Sequence, residues 1–396
     1  MIRLHTLIAA LLIMSLLLTA CGGQQQTVEN APESVEAPAI DAPTDAPAIE
    51  EPTAVDEAVA EATATFDETA LDLEGFPPLS GPSKLFDILE RTEDAVTVEH
   101  AYGELTIPSN PQRVVAAYEA AEALIALGIM PTAYPGWTDV PEVLKEQAPD
   151  IEWIQIVDEG PNLEELAAFE PDLIIDTQSW MGANGESDNY EVVNEIAPTL
   201  VFYTRPGYWQ ELVLQLGELF DRTEQAEAVI ADYNQQIVPL RERVKAVIGD
   251  ETVAPIKVYG ETDVILYGPS FTNEGSTYPG LETVWLYREL QLTPGPEVRE
   301  VFGKGGPSTD SYWFPVPQEF LPELQADHLV VFPDGGLVET IDEAEGYLGL
   351  TEQPIWKALP AVHADNVHEM LGVARNALGY YTLLEAMNAF ADAVEE

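Results

Sequence analysis

Between Thr223 and Ile248 the chain carries its cleanest periodicity: Ala226, Val229, Ile230, Tyr233, Ile237, Leu240, Val244, Val247 and Ile248 recur by threes and fours. That spacing lines up apolar side chains on one buried face of a helix. At 1.5 Å per residue the helix would run about 39 Å, long enough to link two domains. Pro239 falls inside it and is expected to bend it, because its ring removes one backbone donor and crowds the preceding turn. On either side, short apolar runs alternate with helical patterns. Arg113–Ala116 leads into a helix through Leu127, and Pro171–Ile175 leads toward another near Tyr190 to Ile196. Beyond the long helix the alternation resumes at Ile256–Tyr259 and His328–Phe332. Strands separated by helices imply parallel sheets, so the predicted fold class is α/β.

The flanks of the long helix share a weak echo. In "NLEELAAFEPDLII" and "PQEFLPELQADHLVVF" a glutamate (Glu164, Glu319) is followed two residues later by leucine (Leu166, Leu321) and eight later by aspartate (Asp172, Asp327), then by an apolar strand. Its placement on both sides of one helix predicts two related lobes with a ligand cleft between them. The expected boundaries are 84–222 for the first lobe, 223–248 for the connecting helix and 249–396 for the second lobe.

The chain opens with Arg3 and His5, an apolar stretch from Leu7 to Leu18, and then small residues, the three parts of a secretory signal. The stretch is shorter than the about 20 residues of a membrane span. Leu18-Thr19-Ala20-Cys21 resembles the bacterial lipobox, in which the signal (here 1–20) is removed and the new amino-terminal cysteine is acylated. Cys21 is the sole cysteine, so it has no disulfide partner in the chain and serves as the predicted lipid attachment point. Acyl chains contribute about 0.8 kcal/mol per buried methylene, and more than one chain anchors stably. The expected location is therefore a membrane surface facing the outside of the cell or the periplasm.

Residues 21–83 form an Ala/Pro/Glu/Asp/Thr-rich tract without Lys or Arg, too poor in large apolar side chains to offset the entropy of ordering. We read it as a disordered tether whose ends lie on the order of 45 Å apart as a flexible coil. Fourteen of the chain's 70 acidic residues fall between Gly22 and Ser83, leaving 56 against 15 basic residues beyond Ser83. Nucleic-acid binding relies on Lys and Arg at the phosphates, so this balance argues against it.

"GELTIPSNPQRVVAAYEAAEALIALGIMPTAY", "NLEELAAFEPDLII", "LGELFDRTEQAEAVIADYNQQIVPLRERV" and "PIWKALPAVHADNVHEM", in that order and spacing, resemble the periplasmic-binding-protein family that serves importers of iron-siderophore complexes, heme and cobalamin. The resemblance runs from about Val96 to the carboxyl terminus. It implies two Rossmann-like lobes joined by a rigid helix, one ligand held between them, and delivery to an ABC permease. It also implies that Glu164 and Glu319, the glutamates of the internal echo, dock against permease arginines. A glutamate in the first turn of a helix is also favoured by the helix dipole, by about 0.3–1 kcal/mol. The chain is expected to be a monomer with no cofactor of its own and a ferric chelate as ligand. Heme, cobalamin or a metal ion are the alternatives.

Open α/β sheets place their ligands at the carboxyl ends of strands. The loops there contain Tyr118, Trp137, Trp180, Tyr208 and Trp209 in the first lobe, and Tyr267, Tyr278, Tyr312 and Trp313 in the second. Large flat side chains give broad contact at low entropic cost and suit a bulky, partly apolar chelate. Arg205 and Arg375 lie in the same loops, one per lobe, and would supply donors to an anionic ligand. Relatives holding hydroxamate siderophores tend to carry an arginine just before the "NLE" stretch, where this chain has Asp158-Glu159-Gly160; a cationic or neutral chelate therefore stays open.

Other chemistries leave little trace. His363 and His368, the only histidines close in sequence, are five apart and miss the four-residue spacing of a helical metal pair. No G-x-S-x-G elbow occurs, the cysteine is committed to the anchor, and "FGKGGPST" lacks phosphate-loop spacing. The chain is expected not to be an enzyme. A surface-anchored hydrolase would need a nucleophile that is not in evidence, and a purely structural lipoprotein leaves the order of family segments unexplained.

Overall fold

Two six-stranded sheets flank the long helix, and each is built around strands with no exposed face. The computed structural model describes residues 74–76, 84–157, 160–176, 189–202, 208–259, 263–273, 276–279, 283–333, 338, 340–372 and 378–395. Cys21 and the acidic tract through residue 73 lie outside them. All the described residues belong to one compact unit. None of their helices is long and apolar enough to cross a membrane.

The chain enters through an antiparallel meander, β1 (Asp87–Arg91), β2 (Ala95–His100) and β3 (Gly103–Pro108). Val96 and Val98 on β2 and Leu105 and Ile107 on β3 are buried, the alternation of a sheet covered on one face. The first large sheet uses β4 (Val114–Ala116), β5 (Ala133–Gly136), β6 (Glu152–Val157), β7 (Gly160–Pro161), β8 (Leu173–Asp176) and β9 (Thr199–Val201), in the order β7-β6-β5-β4-β8-β9. All neighbours are parallel except the short edge strand β7. Every residue of β4, β5, β8 and β9 is buried, as expected when helices cover both faces of a parallel sheet.

The second half contains β10 (Thr252–Tyr259), β11 (Asp263–Tyr267), the separate hairpin of β12 (Ser270–Asn273) and β13 (Ser276–Pro279), then β14 (Thr293–Pro294), β15 (Trp313–Val316), β16 (His328–Phe332) and β17 (Val367–Glu369). The sheet order is β15-β11-β10-β16-β17, with β14 beside the start of β10. Its β14, β10, β16 and β17 run parallel, but β11 and β15 are antiparallel, which departs from the all-parallel expectation. Only residues 260–262 separate β10 from β11. A parallel return needs a crossover of a dozen residues or more, so so short a link enforces a hairpin.

The long helix spans Thr223–Ile248 without interruption and buries Ala226, Ile230, Tyr233, Ile237, Leu240, Val244 and Ile248. Pro239 leaves it unbroken. Pro239 and Gln235, whose carbonyl loses its partner, are both on the exposed side, where water can take that bond. Val247 is exposed, so the buried stripe is narrower than the periodicity suggests. Gly249, at φ +63°, ends the helix, and its amide donates to the Lys245 carbonyl at 2.9 Å.

A second long element, the carboxyl-terminal helix Tyr380–Glu395, packs along it. Arg243 bonds Asp392 at 2.7 Å and Glu395 at 2.8 Å across that seam. The start of the carboxyl-terminal helix is capped from the first half of the chain. Glu122, on the helix Tyr118–Ala126, accepts from the amides of Tyr381 and Thr382, both at 3.0 Å, and from the Thr382 hydroxyl at 2.7 Å. A Cβ on Gly379 would stand 2.5 Å from that carboxyl group, so only glycine permits the approach. Burial outweighs the three hydrogen bonds and pushes the Glu122 carboxyl up to about 7.

The folded part begins earlier than residue 84. Phe76 is buried, the Lys304 amide donates to the Gly75 carbonyl at 2.9 Å, and Arg299 Nη1 donates to the Glu74 carbonyl at 2.9 Å. The end of the acidic tract is therefore packed on the second half, whereas Leu85 and Phe86 donate through their amides to Gln215 Oε1 in the first.

Candidate functional site

The internal echo has a structural basis. Asp172, just before β8, accepts from the amides of Gln112 at 2.8 Å and Arg113 at 2.9 Å, the residues that lead into β4. Asp327, just before β16, accepts from the Thr252 amide at 2.8 Å and the Thr252 hydroxyl at 2.7 Å, where β10 begins. Those bonds hold the Asp327 carboxyl below the usual carboxylate range. Leu166 and Leu321 are fully buried. Each sheet is thus closed at its amino edge by the same aspartate, with a short helix just before it. Glu164 is exposed in the first turn of one such helix, Leu163–Ala168, where Asn162 Oδ1 accepts from its amide at 3.1 Å. Among the described residues its carboxylate joins no ion pair. Glu319 occupies the corresponding 3-10 turn, Gln318–Glu323.

At the carboxyl ends of the first sheet, Tyr118 follows β4 with φ +46°, a left-handed conformation that costs a side-chain-bearing residue about 1–2 kcal/mol. Its hydroxyl accepts from the Trp137 amide at 3.2 Å, and its ring meets Tyr134 edge-on at 5.8 Å. Gly136, before Trp137, has no room for a Cβ, which would lie 2.6 Å from the Tyr134 ring. Trp153 Nε1 donates to the Gly136 carbonyl at 3.0 Å. These contacts fix the backbone and leave the Trp137 side chain 49 % exposed. The same edge carries two buried carboxylates, Glu119 and Asp176.

In the second sheet, Tyr267 ends β11 and stacks on Tyr312 at 6.2 Å, with Phe332 meeting it edge-on at 6.4 Å. The Gly268 amide donates to the Tyr312 carbonyl at 2.8 Å, and Ser311 Oγ both donates to the Trp313 carbonyl at 3.0 Å and accepts from its amide at 3.2 Å. Trp313 is 47 % exposed. The structure therefore brings Tyr118 together with Trp137, and Tyr267 together with Tyr312 and Trp313. Tyr278 lies on β13. Trp180, Arg205 and Arg375 lie outside the described residues.

Two expectations change. Trp209 is a core residue: it is 2 % exposed, its ring packs edge-on against Tyr233 of the long helix at 4.6 Å, and Tyr380 lies 5.8 Å away. The first turn of the helix Trp209–Leu219 points it inward, and Tyr208 beside it is also buried. His368 pairs not with His363 but with His328, forty residues away, because β16 and β17 are adjacent. His328 Nδ1 lies 3.0 Å from His368 Nε2, and His328 Nε2 lies 2.8 Å from Glu251. Burial, reinforced by His328, pushes the His368 imidazole down to about 4. Among the described residues no group of three or more His, Cys, Asp or Glu side chains could hold a metal ion.

Lys257 is a residue that sequence reasoning missed. It stands near the carboxyl end of β10, is 5 % exposed, and places its ammonium 4.7 Å from the Tyr259 ring centre and 5.9 Å from that of Tyr267. A lysine inside the otherwise apolar run "PIKVY" was the available signal.

Residues 114–277 match the family model described as periplasmic binding protein. That stretch is similar to a periplasmic-binding-protein domain. The chain is 28% identical over 306 residues to the probable siderophore-binding lipoprotein YfiY of Bacillus subtilis, covering 76% of this chain and 86% of the relative. It is 25% identical over 281 residues to the iron(3+)-hydroxamate-binding protein YxeB of the same organism, covering 70% and 78%. Its fold is that of Staphylococcus aureus SirA complexed with staphyloferrin B, with a TM-score of 0.59 at 20% identity over 76% of this chain and 98% of that one.

Proposed function

We propose that the chain is the membrane-anchored solute-binding component of an ABC importer, capturing a ferric siderophore-type chelate between its two sheets and delivering it to the permease. The observation that carries this reading is the pair Trp137 and Trp313. Each is a large aromatic side chain about half exposed on a backbone fixed by hydrogen bonds, Trp137 just past the carboxyl end of β5 and Trp313 at the start of β15. Rings held ready in this way favour a bulky partner, since little side-chain freedom remains to be lost. The named ligands of the similar lipoprotein and hydroxamate-binding protein point to the same chelate class.

Within this reading Cys21 carries the lipid anchor and the tract after it spans from membrane to binding domain. Glu164 and Glu319 touch the permease, one from each half, and the shared position set by Asp172 and Asp327 supports their pairing. Arg205 and Arg375 supply donors to the ligand, and Trp180 and Tyr278 add aromatic contacts to it. The protein acts as a monomer, by binding rather than by turnover.

Fluorescence titration of the full chain in detergent with ferric citrate, ferric tris-catecholate, ferric hydroxamate, heme and cobalamin tests the proposal. One ferric chelate should quench tryptophan emission at one equivalent per chain. Unchanged emission with every compound would sink it, and quenching by heme or cobalamin alone would move the assignment to those ligands.

A further inference from the structure

We infer that Lys257 is a ligand contact that selects for an anionic chelate, one presenting carboxylate or phenolate oxygens to the second sheet. The inference rests on the chelate-binding reading above and adds the charge of the ligand.

Three of the chain's five other lysines pair with carboxylates. Lys84 pairs with Asp87 at 2.6 Å, Lys145 with Asp139 at 3.0 Å and Lys357 with Glu352 at 2.9 Å, all three on the surface. Lys257 is the buried one, and among the described residues it has no carboxylate partner and no hydrogen-bond acceptor. The faces of Tyr259 and Tyr267 attend its ammonium. A charge without a counter-ion loses several kcal/mol of hydration on burial, whereas a cation over an aromatic face recovers about 0.5–2 kcal/mol.

The position fits a ligand. Lys257 stands opposite Phe332 on β16 and Ile265 on β11, near the ends of strands where an open sheet receives its ligand. Strand alternation puts Lys257 and Tyr259 on one face, and the register with β11 puts Tyr267 on that face too. Tyr267 in turn stacks on Tyr312, whose neighbour Trp313 is exposed, so the ammonium belongs to the same aromatic cluster as the exposed ring. A chelate lying on these rings would bring its acidic oxygens to the one cation beneath them. The first sheet offers the opposite sign, with Glu119 and Asp176 buried at its edge.

The test compares anionic ferric citrate and ferric tris-catecholate with the cationic trihydroxamate ferrioxamine B, titrated against the full chain in detergent by tryptophan fluorescence. Wild type should favour an anionic chelate over ferrioxamine B. Lys257→Met, which keeps the stem and removes the charge, should weaken the anionic chelate at least tenfold and leave ferrioxamine B unchanged or tighter. Lys257→Gln should give the same split, which covers a Met variant that does not fold, and the wild-type preference needs no variant. Anionic affinity unaltered in either folded variant, or an equal loss for both charge classes, overturns the inference, the latter marking Lys257 as a packing residue. A wild-type chain that takes only ferrioxamine B overturns it while leaving chelate capture intact. Wild type that binds no ferric chelate overturns the parent reading and this one with it.

Discussion

At their amino edges the two sheets are closed by one device, an aspartate that takes up the backbone entering a neighbouring strand: Asp172 at Gln112 and Arg113, Asp327 at Thr252. Their aromatic surfaces do not match. The first presents Tyr118 and Trp137 with the carboxylates Glu119 and Asp176, and the second presents Tyr267, Tyr312 and Trp313 around the Lys257 ammonium. The repeated edge keeps strands in register, whichever ligand is bound. The divergent surfaces are where two different sides of one molecule can be gripped.

Variants can break this comparison, the largest effect coming from the seam that crosses both halves. Glu122→Ala leaves three donors at the start of the carboxyl-terminal helix without their acceptor, and it should cost about 2–4 kcal/mol in denaturant unfolding. Next, Asp172→Ala and Asp327→Ala should each cost about 1–2 kcal/mol and leave chelate affinity unchanged; unequal costs, or a binding defect, would show that the amino edges are not equivalent.

A smaller effect is the pH dependence set by Glu122. Its folded value of about 7 lies above its ordinary 4.5, so the native state holds a proton there that the unfolded chain has released. Its contribution to stability is therefore present in full below pH 4.5 and lost as pH rises from 4.5 to about 7. Glu122→Gln should flatten that slope, measured as unfolding free energy against pH. Smallest of all should be the stability changes of Trp137→Ala and Trp313→Ala, within about 0.5 kcal/mol because both side chains stand outside the core.

Much of the scaffold was legible because local rules decided it. The long helix shows its bounds in its periodicity, and the strands around Val114, Leu173 and His328 announce themselves as apolar runs. The paired aspartates were visible as an echo, although their job as backbone acceptors was not. Pairings set by topology were hidden: His328 meets His368 only because β16 and β17 are neighbours, and β11 turns antiparallel because its link to β10 is short. At the candidate site, aromatic-rich loops pointed to Trp137, Tyr312 and Trp313, and Trp137 and Trp313 are about half exposed. The same signal misled at Trp209, where the helix begins one residue sooner than the loop composition suggests and turns the ring into the core. Lys257 escaped because a single charge in a strand reads as an edge residue until its burial is known.

The central claim is that one ligand is held by both sheets at once, through Trp137 and Trp313. Affinity and stoichiometry of Trp137→Ala and Trp313→Ala, measured by isothermal calorimetry with whichever ferric chelate wild type binds, test it most directly. The account predicts one ligand per chain and a loss of at least tenfold in each variant, with unfolding midpoints unchanged. Wild-type affinity in either variant would contradict it, placing the ligand on one half alone.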